Sequence, residues 1–188
     1  MGKTILFGEP MALLIADTTG PLEEVEHFTR AMSGAEVNVS IGLSRLGHPV
    51  EYLTRLGDDP FGHYIANALK KNEIGTSLVT YDDVYRTGIQ LKNRVTDGSD
   101  PYAPYYRKGS AASHITISEI EATGKASMLV PSPNVTANHQ YYNALVLEKR
   151  GAAILLEEKD YSTQNVISII ESLYTDQEKI TLLSQNAA

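Results

Sequence analysis

The chain has 188 residues, of which 42% are hydrophobic, and a formal net charge of −7. This length suits one sizeable domain or two small ones. The absence of Cys excludes disulfides and Cys-type zinc sites, and the acidic balance argues against a broad nucleic-acid surface, which needs clustered Lys and Arg. The apolar runs fall far short of the roughly 20 residues that cross a bilayer. We therefore expect a cytoplasmic protein that handles small molecules, with no nucleic-acid or membrane partner.

The first 75 residues alternate strand-like and helix-like segments. Asp59 and Pro60 mark a helix start, because Asp is a good N-cap and Pro fits the first helical position. The helix that follows Gly34 is apolar on most faces, which favours burial. The predicted elements are, in chain order, strands at 4–8 and 12–16, a helix from Gly34 to Leu46, a strand at 50–56 and a helix from Asp59 to about Asn72.

The rest of the chain has two characters. Strand-like segments joined by polar turns predict a small β lid over residues 77–108. After residue 117 helices and strands alternate, which implies a largely parallel sheet covered by helices. The predicted elements are strands at 77–81, 88–95 and 105–108, a helix at 117–123, a strand at 127–131, a helix at 138–150, a strand at 152–157, a helix at 163–174 and a last helix from about 176.

Four motifs stand in the first 113 residues: Gly-Glu-Pro at 8–10, Ser-Gly-Ala-Glu-Val-Asn at 33–38, Gly-Asp-Asp-Pro-Phe-Gly at 57–62 and Tyr-Tyr-Arg-Lys-Gly-Ser at 105–110. In this order and spacing they resemble the ribokinase-type, or pfkB, carbohydrate kinases, and among these the 2-keto-3-deoxygluconate kinases. The resemblance implies an α/β fold with a three-layer, Rossmann-like or ribokinase-like parallel sheet and a small projecting β lid.

The same resemblance implies a sugar-acid site. Gly34 lets backbone amides approach a ligand and precedes a helix N-terminus, which favours anions. Asn38 can donate to and accept from a sugar hydroxyl, and Arg107 can hold a carboxylate through a bidentate pair. Gly34 and Asn38 alone are also typical of a plain turn and helix start. The residues that the resemblance places in the site are Gly34, Ala35, Asn38, Ile89, Tyr105 and Arg107.

The lid of these kinases often doubles as a dimer clasp. Much of the chain's Tyr content, 11 residues in all, lies in the lid region, and a small sheet cannot bury that aromatic surface alone. Its open edges also invite pairing. We expect an isologous homodimer through the lid; a monomer whose lid folds back on its own body is the alternative.

One part of the kinase site has no counterpart here. In these kinases a Gly-Ala-Gly-Asp turn holds the transferred phosphoryl group, and its Asp takes the proton of the sugar hydroxyl. The 188 residues contain no Gly-x-Gly-Asp and no P-loop, and the one Gly-Asp pair is Gly57-Asp58 in the early motif. We therefore expect no catalytic residue, no metal site and no recognisable site for ATP and Mg²⁺, the cofactors of the kinase relatives.

A second set of motifs begins near Ser118. The run Val-Pro-Ser-Pro-Asn-Val-Thr-Ala-Asn-His-Gln at 130–140 and the Asn-Ala pair at 143–144 resemble the C-terminal domain of the UDP-N-acetylglucosamine transferases of peptidoglycan synthesis. The resemblance implies that Glu119 bonds the ribose of UDP. It places three further residues at the sugar and diphosphate end: His139, Gln140 and Asn143.

These transferase-like residues also fit purely structural roles. Glu119 fits an exposed helix residue, Asn138 an N-cap and Gln140 a solvated first-turn residue. The uracil-binding and phosphate-binding loops of that family, and its acceptor domain, have no counterpart in this chain.

We interpret the chain as two fused fragments, 1–113 and 114–188, joined between residues 110 and 118 and packed as one domain with a continuous sheet. The expectation is an engineered chimera without a complete active site. Two alternatives stay open. One is a residual binder of a sugar acid or sugar nucleotide, and the other is a carbohydrate kinase that transfers phosphate from ATP to 2-keto-3-deoxygluconate.

Overall fold

The computed structural model describes residues 4–131 and 139–187. The chain divides into two compact units, Met1–Ile115 and Thr116–Ala188. The elements of the first unit are strands β1 (Thr4–Phe7), β2 (Met11–Thr19), β3 (Phe28–Ser33), β4 (Val50–Gly57), β5 (Val79–Asp82), β6 (Ile89–Arg94) and β7 (Tyr105–Tyr106), and helices α1 (Ala35–Arg45) and α2 (Pro60–Lys71).

A parallel sheet, in the order β1-β4-β5, forms the core of the first unit. Leu6 lies opposite Tyr52 on β4, and Thr54 on β4 lies opposite Val79. Helices α1 and α2 both contact β4. The buried core residues, which come from these strands, the two helices and the segment after α2, are Val37, Val50, Tyr52, Leu56, Ile65, Ala66, Leu69 and Ile74. The predicted α/β class with a parallel sheet is therefore confirmed.

Helix α1 is less buried than its composition predicts. Among its residues only Val37 and Ser40 are buried, and Val39 keeps 52% of its surface exposed. The expectation of a mostly buried helix is wrong, because apolar residues on most faces of a helix do not require that every face has a neighbour.

A second sheet, in the order β3-β2-β6-β7, contains both parallel and antiparallel pairs. Strand β2 pairs antiparallel with β3, with Met11 opposite Ser33, and parallel with β6, with Ala12 opposite Ile89. Strand β7 pairs antiparallel with β6. Strands β6 and β7 of this sheet lie within residues 77–108, where a lid was predicted. The prediction was wrong about residues 79–82, which form β5 beside β4 in the parallel sheet, and it missed that β2 and β3 supply half of the second sheet.

The second unit alternates helices and strands, as its sequence predicts. Strands β8 (Ser127–Leu129) and β9 (Ala153–Leu155) pair in parallel. Among the described strands these two pair only with each other, so the continuous sheet expected across the junction is not formed by them. Packing of both units as one domain stays a prediction. The helices of this unit are α3 (Ile117–Glu121), α4 (His139–Lys149), α5 (Thr163–Thr175) and α6 (Gln177–Ala187).

No helix within residues 4–131 and 139–187 is both long enough and apolar enough to cross a membrane.

Asp59 fixes the connection between β4 and α2. Its Oδ1 accepts hydrogen bonds from the backbone N–H groups of Phe61 at 3.0 Å and Gly62 at 2.8 Å, which confirms the predicted N-cap. Its Oδ2 accepts from the N–H of Thr87 at 2.9 Å, so one carboxylate joins α2 to the segment before β6. Burial raises the pKa of Asp59, but the bonds from Thr87, Gly62 and Phe61 outweigh it and lower that pKa below its ordinary value of 3.8.

We predict that Asp59→Ala lowers the free energy of unfolding by about 1–2 kcal/mol at neutral pH, the usual cost of losing an N-cap. Because the folded-state pKa is lowered, the stabilisation is present above the unfolded pKa and is lost as pH falls through the folded value. Urea unfolding should therefore show the gap between wild type and variant narrowing below about pH 4. Asp100→Ala, at an exposed position, is the control; equal losses in both variants would contradict the capping role.

Candidate functional site

The carboxylate of Glu9 lies where β1 ends and is nearly buried, with 8% of its side chain exposed. Its Oε2 accepts from the Nε of Arg107 at 2.7 Å, and its Oε1 accepts from the hydroxyl of Ser110 at 2.6 Å. Gly88 completes the enclosure, because a Cβ at that position would collide with Oε1 of Glu9. This carboxylate therefore fixes the segment after β7 against the end of β1.

Gly34 lies next to the backbone of Glu9. It is the N-cap of α1, with φ of +144° and ψ of 135°, a conformation that only Gly adopts without strain. A Cβ at Gly34 would lie 3.2 Å from the carbonyl oxygen of Glu9 and 3.0 Å from a methyl group of Val37. The predicted residues Gly34 and Arg107 thus both adjoin Glu9, Gly34 at its backbone carbonyl and Arg107 at its carboxylate. Ala35 and Asn38, in the first turn of α1, are exposed.

The second sheet separates two of the predicted residues. Ile89 lies opposite Tyr106, whereas Tyr105 lies opposite Gln90. Because successive side chains of a strand point to opposite faces, Ile89 and Tyr105 lie on different faces of the sheet. Tyr106, which the sequence analysis did not assign to the site, shares the face of Ile89. Both tyrosines are well exposed, Tyr105 at 57% and Tyr106 at 62%.

A second carboxylate approaches the same region from α1. A Cβ at Gly8 would lie 2.6 Å from Cδ of Glu36, so Gly8 leaves the space that Glu36 occupies. The hydroxyl of Tyr52 on β4 is buried and has no hydrogen-bond partner among the described residues. Burial raises the pKa of Tyr52, and the negative charges of Glu36 and Glu9 raise it further. The hydroxyl of Tyr52 therefore stays protonated at neutral pH and can donate a hydrogen bond.

The sequence analysis did not assign to the site three of the residues that meet at the Glu9 carboxylate: Glu9 itself, Gly88 and Ser110. The Gly-Glu-Pro motif was seen, but it was given no role. A signal was present in the motif itself, because an acidic residue next to the end of an apolar strand needs a cationic or hydrogen-bonding partner if it is buried.

The second unit shows a structural role for Glu119. Its Oε2 accepts from the backbone N–H of Thr116 at 2.7 Å and from the Thr116 hydroxyl at 2.8 Å, while the Thr116 hydroxyl accepts from the N–H of Glu119. This is a capping box at the start of α3. Asn138 lies outside the described residues. The backbones of His139, Gln140 and Asn143 belong to α4, but their side chains lie outside the described part of the structure.

The sequence lacks the Gly-x-Gly-Asp turn that the resemblance associates with the ATP and Mg²⁺ site of the kinase relatives. The one Gly-Asp pair ends β4, and Asp58 there is bonded to His63 at 2.8 Å. Among the described residues no three His, Asp or Glu side chains are grouped to hold a metal ion.

Comparison with known proteins divides the chain in the same region as its structure. Residues 1–128 match the family described as pfkB family carbohydrate kinase. Residues 110–188 match the glycosyltransferase family 28 C-terminal domain. Residues 110–128 fall within both matches, and the boundary between the two compact units lies among them.

Individual relatives repeat this division. The 2-dehydro-3-deoxygluconokinase of Bacillus subtilis is 41% identical over 116 residues, which cover 61% of this chain and 36% of the relative. The UDP-N-acetylglucosamine--N-acetylmuramyl-(pentapeptide) pyrophosphoryl-undecaprenol N-acetylglucosamine transferase of Listeria welshimeri is 41% identical over 78 residues, which cover 42% of this chain and 22% of the relative. The chain thus spans well under half the length of these curated relatives.

A solved structure supports the fold. The PfkB protein of Polaromonas sp. JS666 superposes with a TM-score of 0.68 at 36% identity, covering 88% of this chain and 60% of that one. The ribokinase-like fold expected from the sequence is thereby confirmed.

We predict opposite effects for two Gly→Ala substitutions at α1. Gly34→Ala should lower the free energy of unfolding by about 1–3 kcal/mol, since φ is positive and the new methyl group meets Glu9 and Val37. Gly42→Ala is the matched control, because no atom lies within 4 Å of its Cβ position. It should raise the free energy of unfolding by about 0.5–1 kcal/mol. Urea unfolding measures both, and a neutral Gly34→Ala would contradict the close packing.

Proposed function

This chain belongs to the pfkB family of carbohydrate kinases, and on that premise we propose that its 188 residues bind a keto sugar acid but transfer no phosphoryl group to it. It joins a kinase fragment that retains a sugar-acid cradle to a glycosyltransferase fragment, the arrangement expected of an engineered fusion. The cradle consists of the segment around Gly34, the exposed residues Ala35 and Asn38 of the first turn of α1 and the half-exposed side chain of Arg107.

Arg107 carries this proposal. Its side chain is 48% exposed and its Nε is held by Glu9, so a charged fork is kept in place at the surface rather than buried. A guanidinium fork matches the geometry of a carboxylate, which a neutral sugar lacks. The substrate class named by the Bacillus relative, a deoxygluconate, has such a carboxylate.

The lack of phosphoryl transfer rests on the residues that the reaction needs. The chain has no Gly-x-Gly-Asp turn to hold the transferred group or to supply the base. Asp58, of the one Gly-Asp pair, belongs to the motif at 57–62 and lies 2.8 Å from Nε2 of His63. In the second unit Glu119 is already engaged by Thr116, which counts against its use for the ribose of a sugar nucleotide.

We predict that isothermal titration detects binding of 2-keto-3-deoxygluconate and not of ATP or UDP-N-acetylglucosamine. Arg107→Ala should weaken sugar-acid binding about tenfold or more, the cost of a hydrogen-bonded charged pair. Arg45→Ala, at an exposed end of α1, is the control and should leave binding unchanged. A coupled assay for ADP should show no sugar-dependent turnover. Robust turnover, or binding of UDP-N-acetylglucosamine alone, would refute the proposal in favour of a kinase or a nucleotide binder.

We also propose that the chain forms an isologous homodimer through the second sheet. The argument is the aromatic surface of that region: Tyr102, Tyr105 and Tyr106 are each more than half exposed. Tyrosine is enriched in protein–protein interfaces, so tyrosines that are exposed in a single chain are candidates for burial between two copies.

We predict a dimer mass by light scattering at micromolar concentration. Replacing Tyr105 and Tyr106 together with Ser should produce monomers, because it removes two large contact side chains. Tyr142→Ser, at a tyrosine of α4 with similar exposure (59%), is the control. A wild type that stays monomeric at high concentration would exclude the dimer.

A further inference from the structure

Glu9 is the most constrained acidic side chain of the cradle. Its two oxygens have different partners, Arg107 on Oε2 and Ser110 on Oε1, and the missing Cβ of Gly88 provides the room for Oε1. With 8% of the side chain exposed, Glu9 itself has little surface left to offer a ligand. Any role of Glu9 in binding must therefore act through the residues that it contacts, Arg107 and Ser110.

Within the described part of the structure, the guanidinium of Arg107 is bonded to Glu9 through Nε only. The contact with Glu9 uses Nε, which carries one of the five N–H donors of a guanidinium, and the other four belong to the two terminal nitrogens. Those nitrogens form the end of the fork, and an end-on fork binds a carboxylate through two parallel hydrogen bonds. The side chain is half exposed, at 48%, so a ligand can reach it.

We propose that Glu9 is a positioning residue that selects sugar acids by holding Arg107 through Nε, so that its terminal nitrogens present a fork to the ligand carboxylate. The inference rests on the proposed function of the same site. It adds a residue outside the ligand's reach, and it predicts a preference for the ionised acid over its uncharged ester.

A competing role for Glu9 would act in the opposite direction. A carboxylate beside Arg107 also repels an anionic ligand, and on that ground its removal would strengthen binding. At about 4 Å in water such repulsion is worth about fivefold in affinity, and it weakens with distance across the guanidinium. Ordering a free Arg side chain costs up to about 30-fold. The positioning effect is the larger, so neutralising Glu9 should weaken binding of the acid.

The test compares two ligands, 2-keto-3-deoxygluconate and its methyl ester, by isothermal titration. Glu9→Gln should lower affinity for the acid about tenfold and leave the affinity for the ester within about threefold. Ser110→Ala removes one support of Glu9 without changing charge and should give a smaller loss in the same direction. Gly88→Ala should act like Glu9→Gln, because the new methyl group displaces the carboxylate. Glu26→Gln, at an exposed position with the same charge change, is the control.

A ligand-free readout accompanies the titration. In ¹⁵N spectra of the free protein, the Nε–H signal of Arg107, identified by its loss in Arg107→Lys, should exchange slowly with water and should lose that protection in Glu9→Gln. A merely structural role of Glu9 would change stability but would not discriminate between acid and ester.

The outcomes separate the two proposals. If the wild type binds neither ligand, the proposed function fails and the positioning role falls with it. If the wild type binds the acid and Glu9→Gln binds it equally or more tightly, or if the Nε–H signal is unchanged, the positioning role alone is overturned.

Discussion

A nearly buried carboxylate must find partners, since an unpaired buried charge costs several kcal/mol, and this requirement at Glu9 shapes the proposed cradle. It needs the cation of Arg107 and the hydroxyl of Ser110, which lies 101 residues away in sequence. It also excludes a side chain at Gly88. One group thus brings the end of β1, the start of β6 and the segment after β7 into a single place.

A second carboxylate, that of Asp59, has a similar role after the neighbouring strand β4. Asp59 follows β4 as Glu9 follows β1, and it holds the N–H of Thr87 as well as the start of α2. Both groups stand just beyond the carboxyl ends of adjacent parallel strands, which is where open α/β sheets bind their ligands. The segment between β5 and β6 is therefore bonded to Asp59 through Thr87 and lies against Glu9 at Gly88. The proposed ligand site adjoins this segment.

Local signals in the sequence predicted the local structure well. Asp59 and Pro60 gave the start of α2, because capping depends on neighbours within one turn. The assignment of residues 79–82 to the lid failed for the opposite reason. A strand pattern does not say which sheet a strand joins, and the backbone of β5 pairs with β4. Strand β3 was missed altogether.

The candidate site divides in the same way. The motif that contains Gly34 predicted a turn before a helix, because that signal is local, and the structure places Gly34 at the N-cap of α1 with a positive φ. The pairing of Arg107 with Glu9 could not be predicted, since it depends on how β1 and the segment after β7 meet in three dimensions. Glu119 shows the reverse case: a residue assigned to a ligand by resemblance is engaged by the local capping box of α3.

The family matches explain why one chain carries both patterns. They overlap in residues 110–128, so the point where the kinase-like sequence gives way to the transferase-like sequence coincides with the boundary between the compact units after Ile115. The kinase-like unit contains the parallel sheet β1-β4-β5 and the two bonded carboxylates of Glu9 and Asp59, on which the proposed sugar-acid cradle is built.

The most direct measurement is a crystal structure of the chain with 2-keto-3-deoxygluconate. The account predicts the ligand carboxylate on the terminal nitrogens of Arg107, with Nε still bonded to Glu9 and the sugar near Gly34. A ligand bound elsewhere, or an Arg107 that has left Glu9 to meet it, would contradict the account.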